Sequence, residues 1–268
     1  MKVKESFDYI IIGGGLAGMQ LALAFCNDSF FKNKKIAIVE PDSKNKNDKT
    51  WCFWEQGKGN WDHLLAHQWE NAIFHGPRQS IEMNLGSYTY KMLPAINFYK
   101  YAKSELEKHA NVVWILDSVY KIDKQIVIGK NDTYQAKEIF DSRITKGFKK
   151  DKNSTTVLQP FKGWVIETKE DTFDSGTFTF MDYRLGHENK SCFTYVLPVS
   201  KRKALVEFTC YVPELAESEV YEQKLKTYIQ DVLKVNSYSI QEVEEGVIPM
   251  SSFAFWRENK NGYHKIGI

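Results

Sequence analysis

The hydrophobic pattern of residues 8–25 changes period at a run of glycines. An apolar, β-branched stretch, Asp8-Tyr-Ile-Ile-Ile12, enters Gly13-Gly14-Gly15 and leaves as Leu16-Ala-Gly-Met-Gln-Leu-Ala-Leu-Ala-Phe25, which is rich in helix formers. That change predicts strand, tight turn and helix. Lys35-Ile-Ala-Ile-Val-Glu40 predicts a second strand and completes a βαβ unit. Downstream, Phe98–Lys108 reads as a helix, and Asn111–Leu116, Val119–Ile122, Gln125–Ile128 and Lys137–Phe140 read as strands between polar turns. Asp151–Thr156 is polar and predicts a loop or hinge. Beyond it, Thr177–Met181, Ser191–Leu197 and Ala204–Cys210 predict an antiparallel sheet. Within Val220–Val235 the positions Tyr221, Leu225, Tyr228, Ile229, Val232 and Leu233 share one helix face, the mark of core packing. No internal repeat or low-complexity tract interrupts the chain.

The glycines have the spacing Gly13-x-Gly15-x-x-Gly18. Each position answers a need of a dinucleotide site: a turn of unusual φ, close approach of backbone to a pyrophosphate, and tight helix–strand packing. The helix that follows offers free N–H groups to phosphate. Glu40 ends the next strand, 22 positions beyond Gly18, where an acid grips a ribose hydroxyl. An acid there favours FAD or NAD over NADP.

The 268 residues carry 36 Lys+Arg and 34 Asp+Glu, a net charge of +2. With the two signs interleaved, no basic face for nucleic acid is expected. The length allows one large or two modest domains. Aromatic content of 14% suggests aromatic-lined pockets or a lipid-facing surface. Cys26, Cys52, Cys192 and Cys210 are too sparse for a disulfide framework or a zinc site, which predicts reduced thiols and a cytoplasmic setting. No apolar run approaches membrane-spanning length, and no signal peptide is read at the N-terminus. Among His63, His67, His75, His109, His187 and His264, only His63 and His67 are spaced i, i+4. Without a third ligand they read as a polar helix face, and no metal is expected.

Asn47-Asp-Lys-Thr-Trp-Cys-Phe-Trp-Glu55 resembles the corresponding segment of the lycopene β-cyclases, flavoproteins that close the ionone rings of carotenoids. Phe140-Asp-Ser-Arg143, Leu158-Gln-Pro-Phe-Lys-Gly163, Phe180-Met-Asp-Tyr-Arg184, Tyr195-Val-Leu-Pro198, Ala204-Leu-Val-Glu-Phe-Thr209 and Glu244-Glu-Gly-Val-Ile-Pro249 follow in the family's order. The resemblance spans nearly the whole chain. It implies an α/β fold, with a Rossmann-like FAD-binding domain from residues 1–48, 96–148 and 262–268. An inserted antiparallel-sheet substrate domain is expected from 49–95 and 149–261. Family members continue past the equivalent of Lys265–Ile268 into a second flavin contact and a helical part, so this chain is expected to be shorter at its C-terminus.

The implied reaction is a redox-neutral isomerisation of lycopene or a related acyclic carotenoid. A terminal alkene is protonated, a neighbouring double bond closes on the cation, and a ring proton leaves. A carboxylic acid able to protonate an alkene must keep its proton near neutral pH, which calls for an apolar pocket. By resemblance to the family's acid-bearing strand, Glu207 is the acid/base catalyst. Gly13, Gly15, Gly18, Glu40 and Arg143 are the cofactor-binding candidates. Trp51, Phe53, Trp54, Glu55 and Asp182 are candidates for the substrate pocket. FAD in its reduced form is implied as an electrostatic cofactor, with NAD(P)H as a reductant. A polyene substrate implies peripheral membrane contact. The alternatives are a redox flavoprotein of the same fold, either a monooxygenase or a prenyl reductase, and a non-catalytic carotenoid- or nucleotide-binding protein.

Overall fold

In a computed structural model, residues 3–186, 190–215 and 218–267 are described. His187 and Ile268 lie outside them. In chain order the strands and helices are β1 (Glu5–Ile12), α1 (Leu16–Asn27), β2 (Ile36–Glu40), β3 (Thr50–Gln56), β4 (His67–Trp69), β5 (Asn71–His75), β6 (Ser80–Met83), β7 (Tyr88–Pro94) and α2 (Ala95–Leu106). They continue as β8 (Val112–Leu116), β9 (Val119–Asp123), β10 (Ile126–Gly129), β11 (Thr133–Asp141), α3 (Lys146–Lys150), β12 (Thr156–Glu167) and β13 (Thr177–Asp182). The remainder are β14 (Ser191–Pro198), β15 (Lys203–Tyr211), α4 (Ser218–Thr227), β16 (Ser239–Ser251) and β17 (Tyr263–Lys265).

The chain divides into two compact units, residues 1–47, 95–154 and 253–268, and residues 48–94 and 155–252. In the first, the sheet order is β8-β2-β1-β11-β10-β9, with β17 also pairing β11. The β8, β2, β1, β11 and β17 pairings are parallel, and those of β10 are antiparallel. All five residues of β2 are buried, as are Ile10, Ile11 and Ile12 of β1: Ile10, Ile12, Ala37 and Val39 share a core with Val119 of β9 and Val127 of β10, and Ile38 lies beside Leu106 of α2. This is a Rossmann-like nucleotide-binding arrangement.

The second unit is built on a seven-stranded, mostly antiparallel sheet, β16-β12-β15-β14-β13-β5-β6, and a three-stranded one, β3-β7-β4. Alternation along β15 sends Val206, Phe208 and Cys210 into a core shared with Tyr221 and Leu225 of α4. It sends Leu205 into a second core with Trp69, Tyr90 and Met92 of the small sheet. The large sheet is thus apolar on both sides, one face under α4 and the other under the small sheet.

Three local expectations are corrected. His63 sits in a short 3-10 turn and His67 in β4, so they share no helix face; His67 Nε2 instead lies 2.8 Å from the Ser175 carbonyl. The α4 helix ends at Thr227 and its buried stripe continues in a π-type turn, Tyr228–Val232. Finally, β14 and β15 set Cys192 directly opposite Cys210, and the two are joined by a disulfide. Strand register made that pair, and cysteine spacing carries no trace of it.

Candidate active site

The glycine turn sorts its residues by what each must avoid. Gly13 takes φ +103°, a conformation L side chains rarely adopt. At Gly18 a Cβ would lie 1.9 Å from the Gly13 carbonyl oxygen, so helix and strand approach too closely for any side chain. Gly18→Val is therefore expected to cost more than about 3 kcal/mol, seen as a large fall in the thermal unfolding midpoint. Gly15 differs: a Cβ there meets nothing within 4 Å. The protein's own packing does not require this glycine, and the space beside it is left at the first turn of α1. Gly15 is the N-cap, no side chain caps the helix and no acid lies in its first turn. The N–H groups and the positive end of the helix macrodipole are therefore available to an anion. Glu40, buried at the end of β2, accepts from Gly14 N–H at 2.6 Å and from Asp42 N–H at 3.0 Å. Each oxygen keeps a further lone pair for a ribose hydroxyl. An uncapped helix, a side-chain-free cradle and a fixed acid fit a dinucleotide such as FAD.

Arg143, at the end of β11, is held by Asp141 through Nε–Oδ1 and Nη2–Oδ2 contacts of 2.9 Å. Its Nη1 donates to the Val119 carbonyl. Burial opposes the charge of Asp141, but the guanidinium holds the carboxyl below its usual range. This is a strand-end ion pair inside the nucleotide-binding unit.

In the second unit Glu207 stands in the middle of β15, partly buried, opposite Gly163 of β12 and Tyr195 of β14. Opposed residues in antiparallel strands share a face, so Glu207 and Tyr195 point toward the small sheet. Among the described residues the Glu207 carboxyl has no hydrogen-bond partner. Tyr90 and Cys52 face it from β7 and β3, with the Tyr90 hydroxyl hydrogen-bonded to the Cys52 sulfur. Burial, with the nearby charge of Glu244 adding to it, pushes the Glu207 carboxyl up to about 8. Burial likewise raises the Cys52 thiol and the Tyr90 and Tyr195 hydroxyls, so all three stay neutral at physiological pH. Around the acid runs a wall of rings. Trp54 lies 4.7 Å from Tyr90 and 5.6 Å from Phe180, Tyr90 stacks on Phe178 at 4.6 Å, and Phe180 lies 5.8 Å from Tyr195. The result is a proton held on a carboxyl amid electron-rich faces, the surroundings in which a carbocation survives.

Of the pocket candidates, the structure brings Trp54 to this side. Alternation in β3 turns Thr50, Cys52 and Trp54 one way and Trp51, Phe53 and Glu55 the other. Glu55 binds Lys91 Nζ at 2.9 Å, and the same ammonium takes Asp62 at 2.6 Å and the Gly57 carbonyl at 2.9 Å. Lys91 is 1% exposed and organises the loop of residues 56–62. Lys91→Met is expected to lower stability by about 1–3 kcal/mol, a modest loss because both carboxylates remain partly solvated; a drop in thermal midpoint would register it. Asp182 lies on the α4 side of the large sheet, away from Glu207. Its pairing with Thr194, itself opposite Phe208, fixes that face. It is fully buried, bound to Arg184 Nε at 2.9 and 3.0 Å and to the Tyr228 hydroxyl at 2.6 Å.

Sequence analysis does not single out Cys52, Tyr90, Tyr195 and Glu244 as neighbours of Glu207, or Thr50 as the partner of Glu244. Period-two alternation backward from Trp54 would have found Thr50 and Cys52. Tyr90, Tyr195 and Glu244 come from other strands and needed the sheet register.

A glycine-opened βαβ cradle joined to a mostly antiparallel second unit is the fold of FAD-dependent flavoproteins, and solved structures share it. A geranylgeranyl bacteriochlorophyll reductase-like protein from Thermoplasma acidophilum is 14% identical, with TM-score 0.70 over 97% of this chain and 70% of its own. A flavoprotein/dehydrogenase from Cytophaga hutchinsonii is 17% identical, with TM-score 0.63 over 97% and 70%. The flavin-dependent monooxygenase PieE, solved with FAD and substrate, is 10% identical, with TM-score 0.69 over 98% and 53%. No curated protein matches the sequence. The family model described as lycopene cyclase protein matches residues 8–268, and the chain belongs to that family.

Proposed function

We propose that the chain is an FAD-dependent lycopene β-cyclase, converting the ψ end groups of lycopene or a related acyclic carotenoid to β-ionone rings without net redox change. The observation that carries this reading is the Glu207 carboxyl, protonated near neutral pH, without a hydrogen-bond partner, and facing aromatic rings. As general acid, Glu207 delivers its proton to the terminal alkene, creating a tertiary cation. The faces of Trp54, Tyr90 and Tyr195 stabilise that cation, and their apolar bulk keeps water from capturing it. Ring closure moves the positive charge into the ring, and loss of a ring proton to the Glu207 carboxylate restores the acid. One proton enters and one leaves, so mass and oxidation level are unchanged.

Gly13, Gly15, Gly18 and Glu40 would hold the FAD, with NAD(P)H as the source of its reduction. When bound and reduced, the flavin supplies negative charge rather than electrons. A substrate this apolar resides in membrane, and we place its uptake at a membrane surface through peripheral contact. Among the described residues no helix is long and apolar enough to cross a membrane.

The test is anaerobic incubation with FAD, a chemical reductant and lycopene in liposomes, run in H2O and in D2O. A ring-closed isomer of unchanged mass in H2O, one deuteron per ring in D2O, and flavin still reduced would support the cyclase. A product two hydrogens heavier or lighter than lycopene, formed with stoichiometric change in the flavin's oxidation state, would replace it with a redox flavoprotein.

A further inference from the structure

Across the large sheet, Glu244 of β16, Gly163 of β12 and Glu207 of β15 stand directly opposite one another in successive strands. They share the face that looks toward the small sheet. Neighbouring strands lie about 4.8 Å apart, and the residue between the two carboxylates has no side chain. A Cβ on Gly163 would lie 3.4 and 3.5 Å from Glu207 Cβ and Cγ. The first two side-chain carbons of Glu207 therefore border the gap that Gly163 leaves between it and Glu244.

The two carboxyls have unequal company. The Thr50 hydroxyl donates to Glu244 Oε1, and the Thr50 backbone N–H adds a second hydrogen bond. Burial raises the Glu244 carboxyl above its ordinary range, and these two donors act against that rise by favouring the ionised form. Glu207 has none. Facing Glu207 are Cys52, Tyr90, Tyr195 and Glu244. Facing Glu244 are Thr50, Cys52, Glu242 and Asp48. No cation is among these groups. When two carboxyls interact in unequal surroundings, the better-solvated or better-bonded one ionises first and the other keeps the proton.

We propose that Glu244 is a positioning residue for Glu207: its carboxylate, fixed by Thr50 and set across the gap at Gly163, keeps the proton on the acid that delivers it. The inference rests on the reading of Glu207 as the catalytic acid. Burial alone would raise Glu207, and the like charge of Glu244 works in the same direction.

The experiment is an infrared titration of the holoprotein from pH 5 to 10, following the carbonyl stretch of protonated carboxyl groups. Glu207→Gln identifies the Glu207 band by its disappearance. Glu244→Gln is expected to lower the midpoint of that band by about one pH unit, because the repelling charge is gone. Thr50→Val, which leaves Glu244 in place, is expected to move the Glu244 midpoint upward by removing a donor to its ionised form. In the cyclisation assay, the alkaline limb of kcat/KM should move to lower pH in Glu244→Gln, together with the infrared midpoint. A Glu207 midpoint unchanged in Glu244→Gln overturns the inference, as does a Glu244 midpoint unmoved in Thr50→Val. If the midpoints shift as expected while the wild type forms no cyclic product, the cyclase reading fails and the coupling of the two carboxyls stands.

Discussion

Glu207→Gln is expected to keep the fold and bound flavin and to lose cyclisation by about 10²–10⁴-fold, the contribution of a positioned general acid. The amide preserves the shape of the side chain on β15 and removes the carboxyl proton that the alkene takes up. Product formation from lycopene, scored by chromatography beside circular dichroism and flavin absorbance, checks it. Turnover at wild-type rate in this variant would remove Glu207 from the mechanism.

The same substitution has a thermodynamic signature. The Glu207 carboxyl is raised by burial to about 8 in the folded protein, against its ordinary value of 4.5. Below 4.5 both folded and unfolded chains hold the proton, and this group exacts no penalty. As pH rises from 4.5 to 8 the unfolded chain ionises while the folded one stays protonated, so stability falls across that window. Above 8 the loss is complete. Glu207→Gln should flatten this slope, so that the variant gains stability relative to wild type at pH 8 compared with pH 5. Chemical denaturation at the two pH values measures the difference.

Gly15→Val should produce a folded protein that has lost its cofactor. A Cβ at 15 meets no protein atom within 4 Å and the backbone φ is −83°, so the substitution needs no rearrangement. Valine is a poor N-cap, and a stability cost of about 1 kcal/mol is expected. The branched side chain occupies the space in which backbone would approach a pyrophosphate. FAD affinity should fall by about 100-fold, or ~2.7 kcal/mol, in a fluorescence titration. Gly18→Val, three residues on, should instead fail to fold well. The contrast separates a glycine kept for a ligand from one kept for packing. Equal FAD affinity in Gly15→Val and wild type would refute the cradle.

The nucleotide-binding unit was legible in the sequence because its information is local. The run Tyr9–Ile12, the glycine spacing and the apolar periodicity of Leu16–Phe25 follow from contacts a few residues apart. Glu40 is legible as the acid that ends the next strand, although its contact with Gly14 N–H spans 26 positions. Strands from Thr177 to Cys210 were legible for the same reason, since period-two alternation survives in each strand on its own. The long strands β12 and β16 were not read as strands. Pro160 and Gly163 interrupt one, and mixed charges and Gly246 interrupt the other; their backbone order comes from pairing with each other.

Glu207 could be singled out only by family resemblance, since alternation says which residues share a face and not whether that face meets water. Burial under a second sheet decides it, and that sheet comes from residues 50–94, over 100 positions earlier. Trp51, Phe53 and Trp54 look equivalent in sequence, yet the pleat of β3 sends only Trp54 toward the acid. Glu55 and Asp182 carry the same chemistry as Glu207 and are paired with Lys91, 36 positions away, and with Arg184, two positions away. By itself the sequence determined the βαβ cradle, which is written in local spacing, and the family, which its motifs carry; Glu207 as the acid is what that resemblance implies. Only the tertiary structure decided which carboxyl keeps its proton, because a carboxyl's ionisation depends on the dielectric and charge around it, and those are set by strands that meet only when the chain has folded.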